Sequence, residues 1–163
     1  MKKIVLAALL FVSASVVVKA QTVGTTTSTQ PVSVVIKNVF DMSLTSTTTR
    51  SFSFDALSDY DNGVEVLNAN TINYKTNKAW KVSVKALSTN FTGGAGTTTM
   101  PADVIKVRKN GAPGYISVSS ADQDIATGAR GASNFNIDYK ATPGYSYEAG
   151  TYAVTLQYTI TNQ

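Results

Sequence analysis

The sequence contains neither histidine nor cysteine, and this limits the chemistry that its side chains can perform. Ser-His-Asp and Cys-His nucleophilic sites, zinc sites built on those ligands and covalent haem attachment are all excluded. A carboxylate pair, as in glycoside hydrolysis, and a serine–lysine dyad remain open. The two glutamates of the chain are Glu65 and Glu148. Glu65 alternates with Val64 and Val66, which is typical of the solvated face of a strand. We therefore expect a non-enzymatic protein.

A short run of oxygen-bearing side chains could bind calcium, and it comprises Asp59, Asp61, Asn62 and Gly63. An EF-hand loop has glycine at its sixth position and glutamate at its twelfth. Counted from Asp59, glycine is here the fifth residue and Asn70 the twelfth. A plain turn explains the same residues, because Asp, Asn and Gly all favour turns. The sequence therefore predicts no metal site and no cofactor.

Tyrosines in loops offer a binding chemistry, because a phenol ring can stack on a sugar or a peptide side chain while its hydroxyl forms a hydrogen bond. The three candidates in or beside predicted loops are Tyr60, Tyr145 and Tyr147. A long glycine-rich loop over residues 90–100 is a further candidate for binding, since long loops often carry function. The alternative interpretation is that the tyrosines only pack at the ends of the domain.

The elements that must position these residues are strands. In the last stretch of the chain every second residue is large and apolar, which places the following on one face of a strand: Tyr152, Val154, Leu156, Tyr158 and Ile160. The same parity runs through residues 32–44, with a bend expected near Lys37–Asn38. A similar alternation over residues 79–87 places Trp80 in the core.

The whole pattern predicts an all-β fold. About nine short strands are separated by turn signals, and no segment has helical periodicity. Short strands are expected over residues 64–67 and 71–75, whereas residues 120–133 have no strand pattern. An immunoglobulin-like two-layer antiparallel β-sandwich fits this spacing best, with a closed barrel as the alternative.

The first residues have the form of a signal peptide. Lys2 and Lys3 precede an apolar run, and small residues lead to a cleavage site after Ala20. An uncleaved membrane anchor is the alternative. We predict a signal peptide over residues 1–20, a flexible Thr/Ser-rich leader over 21–30 and a single domain over 31–163. After cleavage we expect no membrane span, and an exported protein that is periplasmic, secreted or at the cell surface.

The charge of the chain argues against a nucleic-acid partner. The chain has 14 basic and 10 acidic residues, and three of the basic residues, Lys2, Lys3 and Lys19, lie in the predicted signal peptide. The mature chain would then have 11 basic residues and a net charge of +1. The absence of cysteine means that an exported protein of this kind relies on core packing instead of disulfides.

Two stretches carry a resemblance to known families. Residues 149–161 (AGTYAVTLQYTIT) resemble the C-terminal strand of secreted bacterial fimbrial-subunit, spore-coat-U and WxL-like β-sandwich surface proteins, and residues 79–84 (AWKVSV) are similar to a mid-chain tryptophan strand in some of them. The resemblance implies an immunoglobulin-like sandwich at the cell surface and, for fimbrial subunits, assembly by strand exchange. The chain lacks the cysteine pair of many such subunits and the Trp-x-Leu motif, since Trp80 is followed by Lys81 and Val82.

These observations lead to two hypotheses. The first is an exported, non-enzymatic surface or fimbrial-like domain with a structural or adhesive function, which pairs strands with itself or with other surface subunits. Its candidate assembly strand contains Val32, Val34 and Ile36. The alternative for that segment is pairing within its own chain. The second hypothesis is a secreted carbohydrate- or peptide-binding module that uses the loop tyrosines.

Overall fold

The computed structural model describes residues 24–94 and 96–163, so the predicted signal peptide lies outside the described residues. Contacts between Cα atoms divide the chain into two units, residues 1–35 and 36–163. In the first unit, the described residues 24–35 form no helix or strand, and their side chains are exposed. The second unit contains the regular structure.

Short strands dominate the second unit, with little helix. In chain order the elements are β1 (Phe40–Leu44), α1 (Leu57–Asn62), β2 (Val64–Thr76), β3 (Trp80–Ala86), β4 (Thr92–Gly93), a 3-10 helix (Ala102–Val104), β5 (Ile105–Lys109), β6 (Ile116–Ser117), β7 (Gln123–Gly128), β8 (Gly131–Ala141), β9 (Tyr152–Ala153) and β10 (Leu156–Asn162). The predicted all-β class is confirmed.

The strands form three antiparallel sheets. The largest has the order β1-β2-β8-β5-β6, the second has the order β10-β3-β7, and β4 pairs with β9. The longest ladder joins β2 to β8, and β10 pairs with β3 from Leu156 opposite Ala86 to Asn162 opposite Trp80. Because β1 and β10 each have one strand neighbour, both lie at the edge of their sheet.

One hydrophobic core receives side chains from the five-stranded and the three-stranded sheets. Its fully buried members include Ile72, Val107 and Ile137 from the first sheet and Trp80, Val82 and Val84 from the second. The predicted core position of Trp80 is thereby confirmed, and its indole Nε1 donates a hydrogen bond to the Ala129 carbonyl at 2.9 Å. Across the core, the hydroxyls of Tyr139 on β8 and Tyr158 on β10 are 2.6 Å apart and share a hydrogen bond.

Several expected boundaries were wrong. The strand predicted from residue 32 begins only at Phe40, and the long C-terminal strand is split into β9 and β10. The two strands expected over residues 64–67 and 71–75 are one strand, β2, with a register shift between Val66 and Asn70. Within residues 120–133, where no strand was expected, β7 forms and pairs with β3.

Candidate functional site

Strands β1 and β10, each at one edge of its sheet, leave part of the core incompletely covered. β1 and β10 approach each other within 8 Å between Cα atoms. Six apolar side chains on these strands pack against the core but are only half-buried, and we call them the edge cluster: Phe40, Met42, Leu44, Leu156, Tyr158 and Ile160. A strand edge offers unpaired backbone N–H and C=O groups, so an edge with apolar neighbours is suited to receive another strand.

The predicted assembly strand is the most exposed apolar segment among the described residues. Val32 and Val35 are each 83% exposed, and Val34 and Ile36 are each 78% exposed. We call residues 32–36 the N-terminal arm. The arm forms no strand within the described structure.

Asn77 holds the segment between the arm and β1. Its side-chain amide donates to the Lys37 carbonyl at 2.7 Å, and its Oδ1 accepts from the Val39 amide at 2.9 Å. Asn77 lies just beyond the end of β2, opposite the start of β1. One side chain therefore extends the contact between β1 and β2 to Val39 and Lys37 before the chain leaves the sheet.

Two of the three predicted binding tyrosines meet. Tyr60 on α1 and Tyr145 in the loop after β8 stack with their ring centroids 5.3 Å apart and their planes 16° apart. The Tyr145 hydroxyl donates to Asp61 Oδ1 at 2.9 Å, and this bond raises the pKa of Tyr145 above its ordinary value. Gly144, at φ +61°, provides the left-handed backbone that turns the chain just before Tyr145.

Tyr147 lies elsewhere. Its ring packs edge-on against Tyr152, with centroids 6.4 Å apart, and the Tyr152 hydroxyl donates to the Glu148 carbonyl at 2.8 Å. The loop over residues 90–100 is tied to the same region, since β4 pairs with β9. The structure thus assigns Tyr147 to a separate aromatic contact and not to the Tyr60–Tyr145 stack.

The residues that suggested calcium have another use. Asp59 Oδ2 accepts hydrogen bonds from the backbone amides of Asp55 at 3.0 Å and Ala56 at 2.9 Å, where α1 begins. A carboxylate at this position satisfies amides that lack partners in the helix. In the described part of the chain, no group of three or more acidic side chains is arranged to hold a metal ion.

Sequence reasoning missed a polar cluster around Asp138. This carboxylate is completely buried on β8 and accepts bonds from the Asn68 amide at 2.9 Å and from Asn110 Nδ2 at 3.0 Å. Arg108 Nε lies 2.9 Å from its other oxygen. Burial opposes ionisation of Asp138, but these three donors outweigh it and hold the pKa below its ordinary value.

The cluster extends to a tyrosine and a glutamate. The Arg108 guanidinium lies 4.3 Å from the centre of the Tyr115 ring, and the buried Tyr115 hydroxyl has no hydrogen-bond partner among the described residues. Burial and the nearby Glu65 charge raise the pKa of Tyr115. Glu65 forms a partly exposed ion pair with Lys140 at 3.3 Å. Glu65 is exposed on β2, as its alternation with Val64 and Val66 predicted.

Comparison with known proteins adds no assignment to this geometry. No protein-family model matches the chain, and no curated protein has a significant match to it. Among the described residues, no helix is long and apolar enough to cross a bilayer.

Proposed function

We propose that this protein is an exported, non-enzymatic cell-surface domain that assembles by strand pairing between copies. The observation that carries the proposal is the arm, a row of apolar side chains about four-fifths exposed and without a strand partner. Large contiguous apolar surface on a protein usually marks a place where something binds. The signal-peptide pattern of residues 1–20 supports export.

The proposed acceptor is the edge cluster of a second copy. In an extended arm, Val32, Val34 and Ile36 point to one side and Ser33 and Val35 to the other. If the arm pairs with an open strand edge, the first set can cover the half-buried side chains of β1 and β10. Each fully buried Val or Ile contributes about 1.5–3 kcal/mol, and the sum must exceed the cost of ordering the arm. The face with Val32, Val34 and Ile36 can offset the cost of ordering the arm better than the opposite face, where Val35 is the one large apolar residue.

The same proposal includes an immunoglobulin-like sandwich as the arrangement of the two larger sheets. Its supports are the shared core and the Tyr139–Tyr158 hydrogen bond, which joins a strand of one sheet to a strand of the other. The resemblance of residues 149–161 to secreted surface sandwiches points the same way. The edge strand β10 of the three-stranded sheet would then be open to a further strand.

Substitutions on opposite faces of the arm distinguish strand pairing from nonspecific hydrophobic association. The chain beginning at Gln21 is examined by light scattering after size exclusion and by electron microscopy, together with Val34→Asp and Val35→Asp. The two substitutions place the same charge at adjacent positions that are exposed to a similar extent. We expect oligomers of the parent chain, their loss in Val34→Asp because a charge would enter the apolar contact, and their persistence in Val35→Asp.

A second measurement identifies the strand edge that binds the arm. A peptide of residues 30–37 is added to the chain beginning at Lys37, and hydrogen exchange is followed at the backbone amides of β1 and β10. We expect slower exchange on one of these edges with the parent peptide and no change with the Val34→Asp peptide. A parent chain that stays monomeric while the peptide fails to bind would contradict the proposal, as would equal effects of the two charged variants.

A further inference from the structure

Three aromatic rings form a stepped stack from the core to the surface. Phe54 is half-buried and packs against the core, and its ring lies 5.5 Å from that of Tyr60 at an angle of 55°. Tyr60 in turn stacks almost parallel to Tyr145. Tyr145 is 63% exposed, so Tyr60 covers one face of its ring and the other face is open to solvent. The ring of Tyr145 therefore stacks on Tyr60, which is itself packed against the core through Phe54.

The polar ends of both tyrosines are fixed as well. The Tyr60 hydroxyl donates to the Phe54 carbonyl at 3.2 Å. The Tyr145 hydroxyl lies 2.9 Å from Asp61 Oδ1 and 3.3 Å from the Leu57 carbonyl. An exposed tyrosine normally retains rotamer freedom that a ligand must remove on binding. Here the stack and the hydroxyl contacts restrict the ring beforehand, so an arriving ligand pays less of that cost.

The surroundings of the open face restrict the class of ligand. Asp61, whose carboxylate accepts the bond from the Tyr145 hydroxyl, is exposed and forms no ion pair among the described residues, so it disfavours anionic ligands such as nucleic acid. The parallel rings present one face, whereas sites for quaternary ammonium groups surround the cation with several rings. A neutral sugar suits a single face, because its axial C–H groups contact the ring and its hydroxyls can donate to a carboxylate.

We propose that Tyr145, supported by Tyr60 and Asp61, is a stacking platform for a hexose ring of a neutral glycan. This site is independent of the arm and of the edge cluster. Tyr147, which the sequence grouped with these tyrosines, has no part in it, since its ring contacts Tyr152 instead.

The test is a titration of the chain beginning at Gln21, followed by saturation-transfer NMR and by calorimetry. The probes are neutral hexasaccharides of β-1,4-linked glucose, N-acetylglucosamine and mannose and of β-1,3-linked glucose. Tetramethylammonium and a proline-rich peptide represent the competing ligand classes. We expect at least one hexasaccharide to bind, and Tyr145→Ala to weaken its binding about tenfold or more, which is the loss of one well-packed ring. Tyr147→Ala is the matched control and should bind as the parent chain does.

Two further readouts separate binding from folding. Shifts of backbone amides in the parent chain should centre on Tyr60, Asp61 and Tyr145, which requires no variant. Tyr145→Phe keeps the ring but loses the bond to Asp61, and we expect it to bind between the parent chain and Tyr145→Ala. The proposal is overturned if no hexasaccharide binds at about 10 mM, if Tyr147→Ala weakens binding as much as Tyr145→Ala, or if tetramethylammonium or the peptide binds more tightly than every sugar.

Discussion

Asp138 is a charged side chain with no exposed surface, so its ionised form is stable only because of the hydrogen-bond donors around it. Two of these donors belong to the strand irregularity in β2 and to the turn after β5. Asn68, at φ 50°, turns its amide to the carboxylate, and Asn110 supplies a side-chain amide. Asn136 Nδ2 then donates to the Asn68 side chain at 2.9 Å. The buried charge thereby holds the register shift of β2 in one conformation.

We predict that Asp138→Ala lowers the free energy of unfolding by roughly 1–3 kcal/mol, because it leaves three partly buried donors without their acceptor. Urea denaturation followed by Trp80 fluorescence measures the loss. Asp124→Ala is the matched control: it removes an exposed ion pair with Lys81 at 3.0 Å and should cost less than about 1 kcal/mol. Equal losses in the two variants would contradict the importance of burial at Asp138.

The same residue gives the protein a pH dependence. The pKa of Asp138 is lower in the folded chain than in the unfolded chain. Its ionised form therefore contributes stability that is present above the ordinary carboxyl pKa of about 3.9 and is lost as the pH falls through the folded-state pKa. We expect a plot of unfolding free energy against pH to fall less steeply below about pH 4 for Asp138→Asn than for the parent chain. If the plots for the parent chain and Asp138→Asn are parallel, other carboxylates dominate the pH dependence of the unfolding free energy.

Strands β3 and β7 approach each other closely at Gly128. A Cβ atom on this residue would lie 2.5 Å from Cζ2 of the Trp80 ring, which has no room to move because it is buried. We predict that Gly128→Ala destabilises the fold by roughly 1–3 kcal/mol, as overpacking of a core does. Near-ultraviolet circular dichroism of Trp80, the single tryptophan, should change with it. Gly114→Ala is the control, because nothing lies within 4 Å of its added Cβ.

Alternation of apolar residues predicted the strands whose inward side chains keep a period of two. In β3 and β8 the positions of Trp80, Val82 and Ile137 followed directly from that parity. It failed for β7, where the adjacent residues Ile125 and Ala126 are both buried because the pairing with β3 shifts register. It failed again for residues 32–36, whose strand pattern has no partner within the described structure. A period of two identifies a strand surface but not the strand that pairs with it.

The candidate sites were predicted to different extents for a related reason. The residue types of Tyr60, Tyr145 and the arm indicated where binding chemistry could occur. That Tyr60 and Tyr145 stack, and that Tyr147 does not join them, depends on contacts between residues 85 positions apart in the chain. The Asp138 cluster could not be found from local pattern, since its burial results from the register shift in β2.

At the scale of the whole molecule, the division of the chain predicts that residues 24–35 contribute little to stability. Their side chains are exposed, whereas the buried core residues in the described part of the chain all follow Ile36. We predict that a chain beginning at Ile36 unfolds in one cooperative step, with a midpoint equal to that of the chain beginning at Gln21. Thermal melts are compared at concentrations low enough to prevent association, because association raises the midpoint. A lower midpoint for the shorter chain would show that these residues stabilise the fold.

The Asn77 contacts described above have a mechanical consequence. Tension applied to the arm enters the sheet through Lys37 and Val39 and then runs along the length of β1. The antiparallel bonds of β1 to β2, from Phe40 opposite Thr76 to Leu44 opposite Ile72, lie across that direction. They would therefore be loaded in shear, all at once, instead of being peeled apart one at a time. A chain pulled by its arm would resist extraction of its first strand, and Asn77→Ala would lower the force at which that strand yields.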